Sequence, residues 1–176
     1  MHNFKKRLVV ECRMGKITEQ CDVDAIVNPA NPQLSPGWGI SGSIHAAAGP
    51  DLYQECRAAG LVSPGKAFVT EGYRLPCRRV VHCVVPVNKH ACTPGKLREC
   101  FRNVLQIAEE LGLESLAIPA LVPGNEVARL AKEVINELAT ELKFVRKIRF
   151  VLIRRETLDA YRETFGPAVE RNRKIS

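Results

Sequence analysis

One stretch constrains this chain more than any other. Val23-Asp24-Ala25-Ile26-Val27-Asn28-Pro29-Ala30-Asn31 carries an apolar run into two asparagines three apart. A glycine-rich segment, Gly37-Trp38-Gly39-Ile40-Ser41-Gly42, follows, and then the small-residue run Ser43-Ile44-His45-Ala46-Ala47-Ala48-Gly49. A short apolar run bounded by turn residues reads as a buried strand. Asn-Pro, present twice here, is also an ordinary turn signal, so spacing alone leaves the two amides divided between ligand contact and turn chemistry. Buried strand, polar turn, exposed main-chain N–H groups and helix N-terminus together make the arrangement by which α/β proteins hold phosphorylated ligands.

The remainder alternates in the same way. Strand-like runs at 8–12, 25–28, 66–71, 80–85, 116–118 and 148–153 are separated by helix-like ones at 41–57, 93–111, 125–142 and 158–165. Thr93 and Pro94 form a helix start, and Gly112 a stop. Val127, Leu130, Ala131, Val134, Ile135 and Leu138 recur at helical spacing, with Asn125 placed to cap them. Strands alternating with helices predict a layered α/β domain whose sheet is mostly parallel at its centre. No linker, repeat or low-complexity tract divides the chain, so one domain is expected over 1–176, with loose polar termini.

Lysine and arginine number 26 against 19 aspartates and glutamates, a net charge of +7. That balance suits an anionic partner, a phosphorylated nucleotide or a nucleic acid, and equally a solvated basic surface. The basic residues are scattered, with runs at 5–7, 146–149, 154–155 and 171–174. One tryptophan and three tyrosines are too few for a platform that stacks single-stranded bases. The seven cysteines contain no C-x-x-C pair, which predicts reduced thiols and neither metal nor cofactor. Leu8-Val9-Val10 is too short for a secretory leader and no run reaches membrane-spanning length. A cytoplasmic protein without a membrane partner is expected.

The order of these segments resembles the macrodomain family, whose members bind ADP-ribose. The family pattern G-D-I-T, V-D-A-I-V-N-A-A-N and G-G-G-V-D-G-A-I-H meets Gly15-Lys16-Ile17-Thr18, then residues 23–31, then 37–45. The likeness continues through Gly65–Pro76, Val80–Pro86 and Ser115–Ala120. It implies a three-layer α/β/α fold with a mixed sheet between helices.

It also implies roles. Asn31 is the asparagine that meets the distal ribose, with Asn28 as its neighbour in the motif. Gly37, Trp38, Gly39, Ile40, Ser41 and Gly42 form the first phosphate loop, in which glycines let the backbone approach a diphosphate. Val122, Pro123, Gly124 and Asn125 stand in the second loop, and Ile17 packs against the base.

Four departures fall inside that pattern. Ser41 replaces an aspartate thought to activate water, and a serine has no useful basicity at neutral pH. Lys16 replaces the aspartate that accepts the adenine amino group; Asp22 and Asp24 are the nearby carboxylates that could substitute. Trp38 replaces a glycine. The second loop has lost its aromatic residue and all but one glycine. His45, one turn beyond Ser41, is expected to pack beneath the sheet.

The resemblance therefore implies binding of ADP-ribose or a related nucleotide diphosphate, with weak ADP-ribosyl or O-acetyl-ADP-ribose hydrolysis involving Asn31 and Ser41. Two alternatives stay open: an ADP-ribosylglycohydrolase of modified proteins, and a diverged module that binds RNA or a protein partner.

Overall fold

The computed structural model describes residues 8–86, 88 and 90–166. The basic runs at 5–7 and 171–174 lie outside them. β1 (Val9–Met14), β2 (Ala25–Ala30), β3 (Ala67–Glu71), β4 (Arg79–Val84), β5 (Ser115–Pro119) and β6 (Lys147–Leu152) form one sheet in the order β1-β6-β5-β2-β4-β3. Neighbouring strands are parallel except β3, which pairs antiparallel to β4 at the edge. α1 (Gly39–Ala48) and α2 (Pro50–Ala58) cover one face, and α3 (Pro94–Glu110), α4 (Glu126–Leu138) and α5 (Arg155–Phe165) the other. The expected layers and mixed sheet are thus what the chain forms. Among the described residues no helix is long and apolar enough to cross a membrane.

Strand alternation divides the core. From β2, Ala25 and Val27 face α3 to α5, while Ile26 and Ala30 face α1 and α2. The α4 residues Val127, Ala131, Val134, Ile135 and Leu138 are all buried, and Leu130 packs at their margin. Thr93 caps α3 as its sequence suggests, its hydroxyl accepting the Lys96 N–H at 3.2 Å, a device typically worth about 1 kcal/mol.

The single helix expected over 41–57 is instead two. Gly49 takes a φ of 86° and Pro50 opens α2. A residue in that conformation ends a right-handed helix, and a proline without an N–H suits the first position of the next.

One detail of register matters for function. β2 pairs with β5 only at Ala25↔Leu116 and Ile26↔Ala117. Beyond that, β2 continues beside β4 to Ala30, and β5 beside β6 to Pro119. The two strands part, and a crevice opens between their C-terminal ends. Pro29 and Pro119, which donate no N–H, both stand where β2 and β5 no longer pair. The chain leaves β2 for α1 on one face and β5 for α4 on the other, so the crevice is a topological switch point.

Candidate functional site

The first wall of the crevice is the loop that follows β2. Asn31 organises it: Oδ1 accepts from the Ser35 N–H at 3.1 Å and from its hydroxyl at 3.3 Å, while Nδ2 donates to the Ser35 carbonyl at 3.1 Å. Leu34 anchors the turn with a φ of 52° and no exposed surface. That conformation costs a non-glycine residue about 1–2 kcal/mol, which burial of a leucine, at about 1.5–3 kcal/mol, offsets.

The loop then folds back on the first turn of α1. A Cβ placed on Gly42 would lie 2.3 Å from the Gly37 carbonyl oxygen, so only glycine fits. Trp38 precedes α1 and provides no side-chain cap, leaving the first amides of the helix without a side-chain acceptor. The indole is fully exposed and does not plug the crevice. Ser41 is buried, and its hydroxyl has no hydrogen-bond partner.

The second wall is the turn from Pro119 to Gly124, where Gly124 takes a φ of 129°. At the far end stand Ile17, in a short 3-10 turn over Ile17–Glu19, and the residues that leave β6 for α5. The whole cleft has a volume of about 640 Å³, within the ~300–1,000 Å³ usual for small-molecule sites. A smaller hollow of about 430 Å³ lies at the opposite end of the sheet, where Asp24 and Glu114 stand among Arg78, Arg146 and Lys147. Acids and bases are mixed there, and it lies at the N-terminal ends of the strands, the wrong end for a switch-point ligand.

Of the residues singled out from sequence, Ile17, Trp38, Gly39, Ile40, Ser41, Val122, Pro123 and Gly124 line the cleft. Gly37 and Gly42 shape its first wall from behind, as does Asn31. Asn28 does not reach it. β2 runs two residues past the expected end, so Asn28 sits within the strand, fully buried, its Nδ2 3.0 Å from Nδ1 of His82. Asn125 also falls outside. It occupies the N-cap position of α4 without capping, and lines a separate hollow between α4 and α5.

Neither carboxylate offered in place of Lys16 is free. Asp22 is held by Arg149 at 2.5 and 2.7 Å, and that guanidinium keeps its carboxyl well below the usual range. Asp24 accepts from the Ser115 N–H at 3.0 Å and from Arg78 at 2.8 Å. Burial opposes its ionisation, but these hydrogen bonds, with that from the Glu114 N–H, leave its pKa lowered. Lys16 itself pairs with Glu19 at 3.0 Å.

Sequence reading missed Val151, Leu152, Ile153, Arg154 and Thr157, which close the far end. Their signal was positional: β6 is followed by α5, and ligands gather beyond the carboxyl ends of parallel strands. Among the described residues Arg154 is the one charged side chain on the cleft wall, and the sequence places it only in a basic run. His45 packs beneath the sheet as expected, edge-on to Tyr53 with ring centres 6.1 Å apart. Burial lowers its pKa, so it is a neutral imidazole at pH 7, and it does not line the cleft.

A profile for the Macro domain matches residues 27–132. An ADP-ribose glycohydrolase of Xenopus laevis is 42% identical over 132 residues, covering 70% of this chain and 31% of that protein. An O-acetyl-ADP-ribose deacetylase of Cronobacter turicensis is 34% identical over 164 residues, covering 86% and 93% respectively. Among solved structures, a variant Oceanobacillus iheyensis macrodomain with ADPR superposes with a TM-score of 0.83 at 28% identity, covering 93% of this chain and 94% of that one.

Proposed function

The chain belongs to the Macro domain family, and on that premise we propose that its cleft binds ADP-ribose or a related nucleotide diphosphate and hydrolyses ADP-ribosyl or O-acetyl esters only weakly. The observation that carries this reading is the first wall. The loop is braced by Asn31, closed against Gly42, and presents the uncapped amides of α1 to the cleft. Main-chain N–H groups at a helix N-terminus are suited to a pyrophosphate, and no acidic residue stands in the first turn of α1 to oppose one. The apolar far end, with Ile17, Val151 and Ile153, suits the flat face of a base.

Weak turnover follows from Ser41. Its hydroxyl cannot take a proton from water at pH 7, so no side chain of the aspartate's basicity stands at that position. Hydrolysis then depends on a water positioned by main chain or by the substrate's own phosphate, which supplies orientation but little proton transfer. The amide of Asn31 is committed to Ser35, so its contribution is to hold the loop in shape.

The nucleic-acid alternative finds less support. Among the described residues, several basic side chains are paired on the surface, Arg78, Arg79, Arg98, Arg102 and Lys147 among them.

Calorimetric titration with ADP-ribose tests the binding. Micromolar affinity supports it, and absence of heat at millimolar ligand removes it. Release of ADP-ribose from a mono-ADP-ribosylated protein, and deacetylation of O-acetyl-ADP-ribose, then measure turnover. Rapid, saturating hydrolysis would show that Ser41 does not limit the chemistry.

A further inference from the structure

Beneath α1 and α2, away from the cleft lining, three donor atoms converge from three elements. A ring nitrogen of His45 on α1, Sγ of Cys56 on α2 and a ring nitrogen of His82 on β4 all lie within 4.8 Å of one another. Sγ of Cys56 is 3.7 Å from Nε2 of His82. A metal ion about 2.3 Å from sulfur and about 2.0 Å from nitrogen separates two such donors, in a trigonal plane, by about 3.7 Å. Cys56 and His82 have no exposed surface, and His45 keeps 6%.

Two independent observations point to a missing partner. Both ring nitrogens of His45 are buried without any hydrogen bond, an unusual state for so polar a ring. The second is the amide of Asn28. Its Nδ2 faces Nδ1 of His82 at 3.0 Å while its Oδ1, also buried, has no partner. Turned over about its last torsion, the amide places Oδ1 against an Nδ1–H. Nε2 then carries a lone pair, with the hydroxyl of Thr70 at 2.9 Å and Cys56 Sγ at 3.7 Å around it. A ligand imidazole is normally oriented in this way, its other N–H held by an oxygen.

Charge selects the ion. As ligands the two imidazoles are neutral, and Cys56 is the one member of the cluster that binds as an anion, by losing its thiol proton. The Glu55 carboxylate is engaged outside the cluster, by the Glu71 N–H at 3.0 Å and the Tyr73 hydroxyl at 2.8 Å. When a monovalent cation enters, the Sγ–H bond breaks, an Sγ–metal bond forms and the proton leaves to solvent. One positive charge replaces another, and no net charge is buried. A divalent ion would leave a buried positive charge without a carboxylate in the cluster to balance it. Thiolate and imidazole together favour a soft ion. We propose that His45, Cys56 and His82 form a buried site for Cu(I). This holds whatever ligand the cleft takes.

The test is an anaerobic titration of the full chain with Cu(I) in competition with bicinchoninate. Cys83 and Cys100, adjacent on the opposite face, and exposed Cys21 offer Cu(I) other sulfur ligands, so the difference between proteins is what counts. The wild type should take up one equivalent more than Cys56→Ser or His45→Gln, and its copper absorption spectrum should show mixed nitrogen and sulfur ligation. Equal uptake in all three, or ligation by sulfur alone, overturns the proposal. So does displacement of the copper by equimolar Zn(II). If a variant fails to fold, the imidazole 1H–15N spectrum of the wild type decides. The first equivalent of redox-inert Ag(I) to enter the site must shift His45 and His82 together, and an unshifted pair across the whole titration refutes the site.

Discussion

The loop leaving β2 and the loop leaving β5 face each other across one cleft, but they are held in shape by different means. In the first, the Asn31 side chain makes three hydrogen bonds to Ser35, Leu34 is buried to its last atom, and the Gly37 carbonyl rests against Gly42. In the second, Pro123, Gly124 and Asn125 are exposed, Asn125 does not cap its helix, and Glu126 puts a negative charge on the first turn of α4. The helix behind the first loop carries no acid in its opening turn. A rigid wall with an unopposed helix dipole can fix a pyrophosphate, whereas the other can only border it. The two walls should therefore respond very unequally to substitution.

Gly42→Ala gives the largest effect. Its Cβ would meet a main-chain oxygen at 2.3 Å, and no side chain can swing aside to relieve it. The loop has to move by about 1 Å, a displacement that can cost on the order of 100-fold in a positioned site. Calorimetry should show ADP-ribose affinity reduced by that order. Near-normal affinity would mean that the first wall is not what holds the ligand.

Asn31→Ala comes next. It releases the Ser35 N–H and carbonyl and slackens the turn without creating a clash. About a tenfold loss of affinity is expected, equivalent to about 1.4 kcal/mol. The chain's single tryptophan stands on the cleft wall, so a fluorescence titration reads the change directly. A Ser35→Ala variant that binds as well as wild type, beside a weakened Asn31→Ala, would show that the main-chain bonds are the ones that matter.

The same contrast explains what could be read from the chain in advance. The layers, the α3 cap and the buried stripe of α4 were legible because each depends on residues within one or two turns of one another. The first loop was legible because its glycines carry conformational meaning on their own. Asn28 was misplaced by a two-residue error in the end of β2, enough to turn a site residue into a core one. At the far end of the cleft only Ile17 was legible; Val151–Thr157 were not, because they come beside it only through the pairing of β1 and β5 with β6. The His45, Cys56 and His82 cluster was hidden for the same reason, its members being 11 and 26 positions apart on separate elements. The break at Gly49 lay at the end of the small-residue run, where Gly49-Pro50 is the local signal for it.

Ser41→Asp examines the chemistry at the first wall. A carboxylate there supplies the base that serine cannot. General-base catalysis is commonly worth at least ~100-fold when fully positioned, but a buried carboxylate is desolvated and its geometry here is untuned, so about tenfold is expected in kcat for O-acetyl-ADP-ribose. No gain, with binding intact, would place the limit on the orientation of water.

Gly124→Ala should have the smallest effect, although Gly124 is the one glycine left in the second loop. Its φ of 129° is unfavourable for alanine, but a Cβ there would meet only the Val127 side chain, at 4.0 Å. The strain, on the order of 1 kcal/mol, falls on an exposed turn that can relax by opening toward solvent. Affinity for ADP-ribose should drop by about two- to threefold, well under the 1.4 kcal/mol that a tenfold change represents. The value of this variant lies in its pairing with Gly42→Ala. If calorimetry ranks Gly124→Ala as the more damaging of the two, the phosphates are gripped from the β5 side, and the division of labour between the walls is the reverse of that drawn from their bracing.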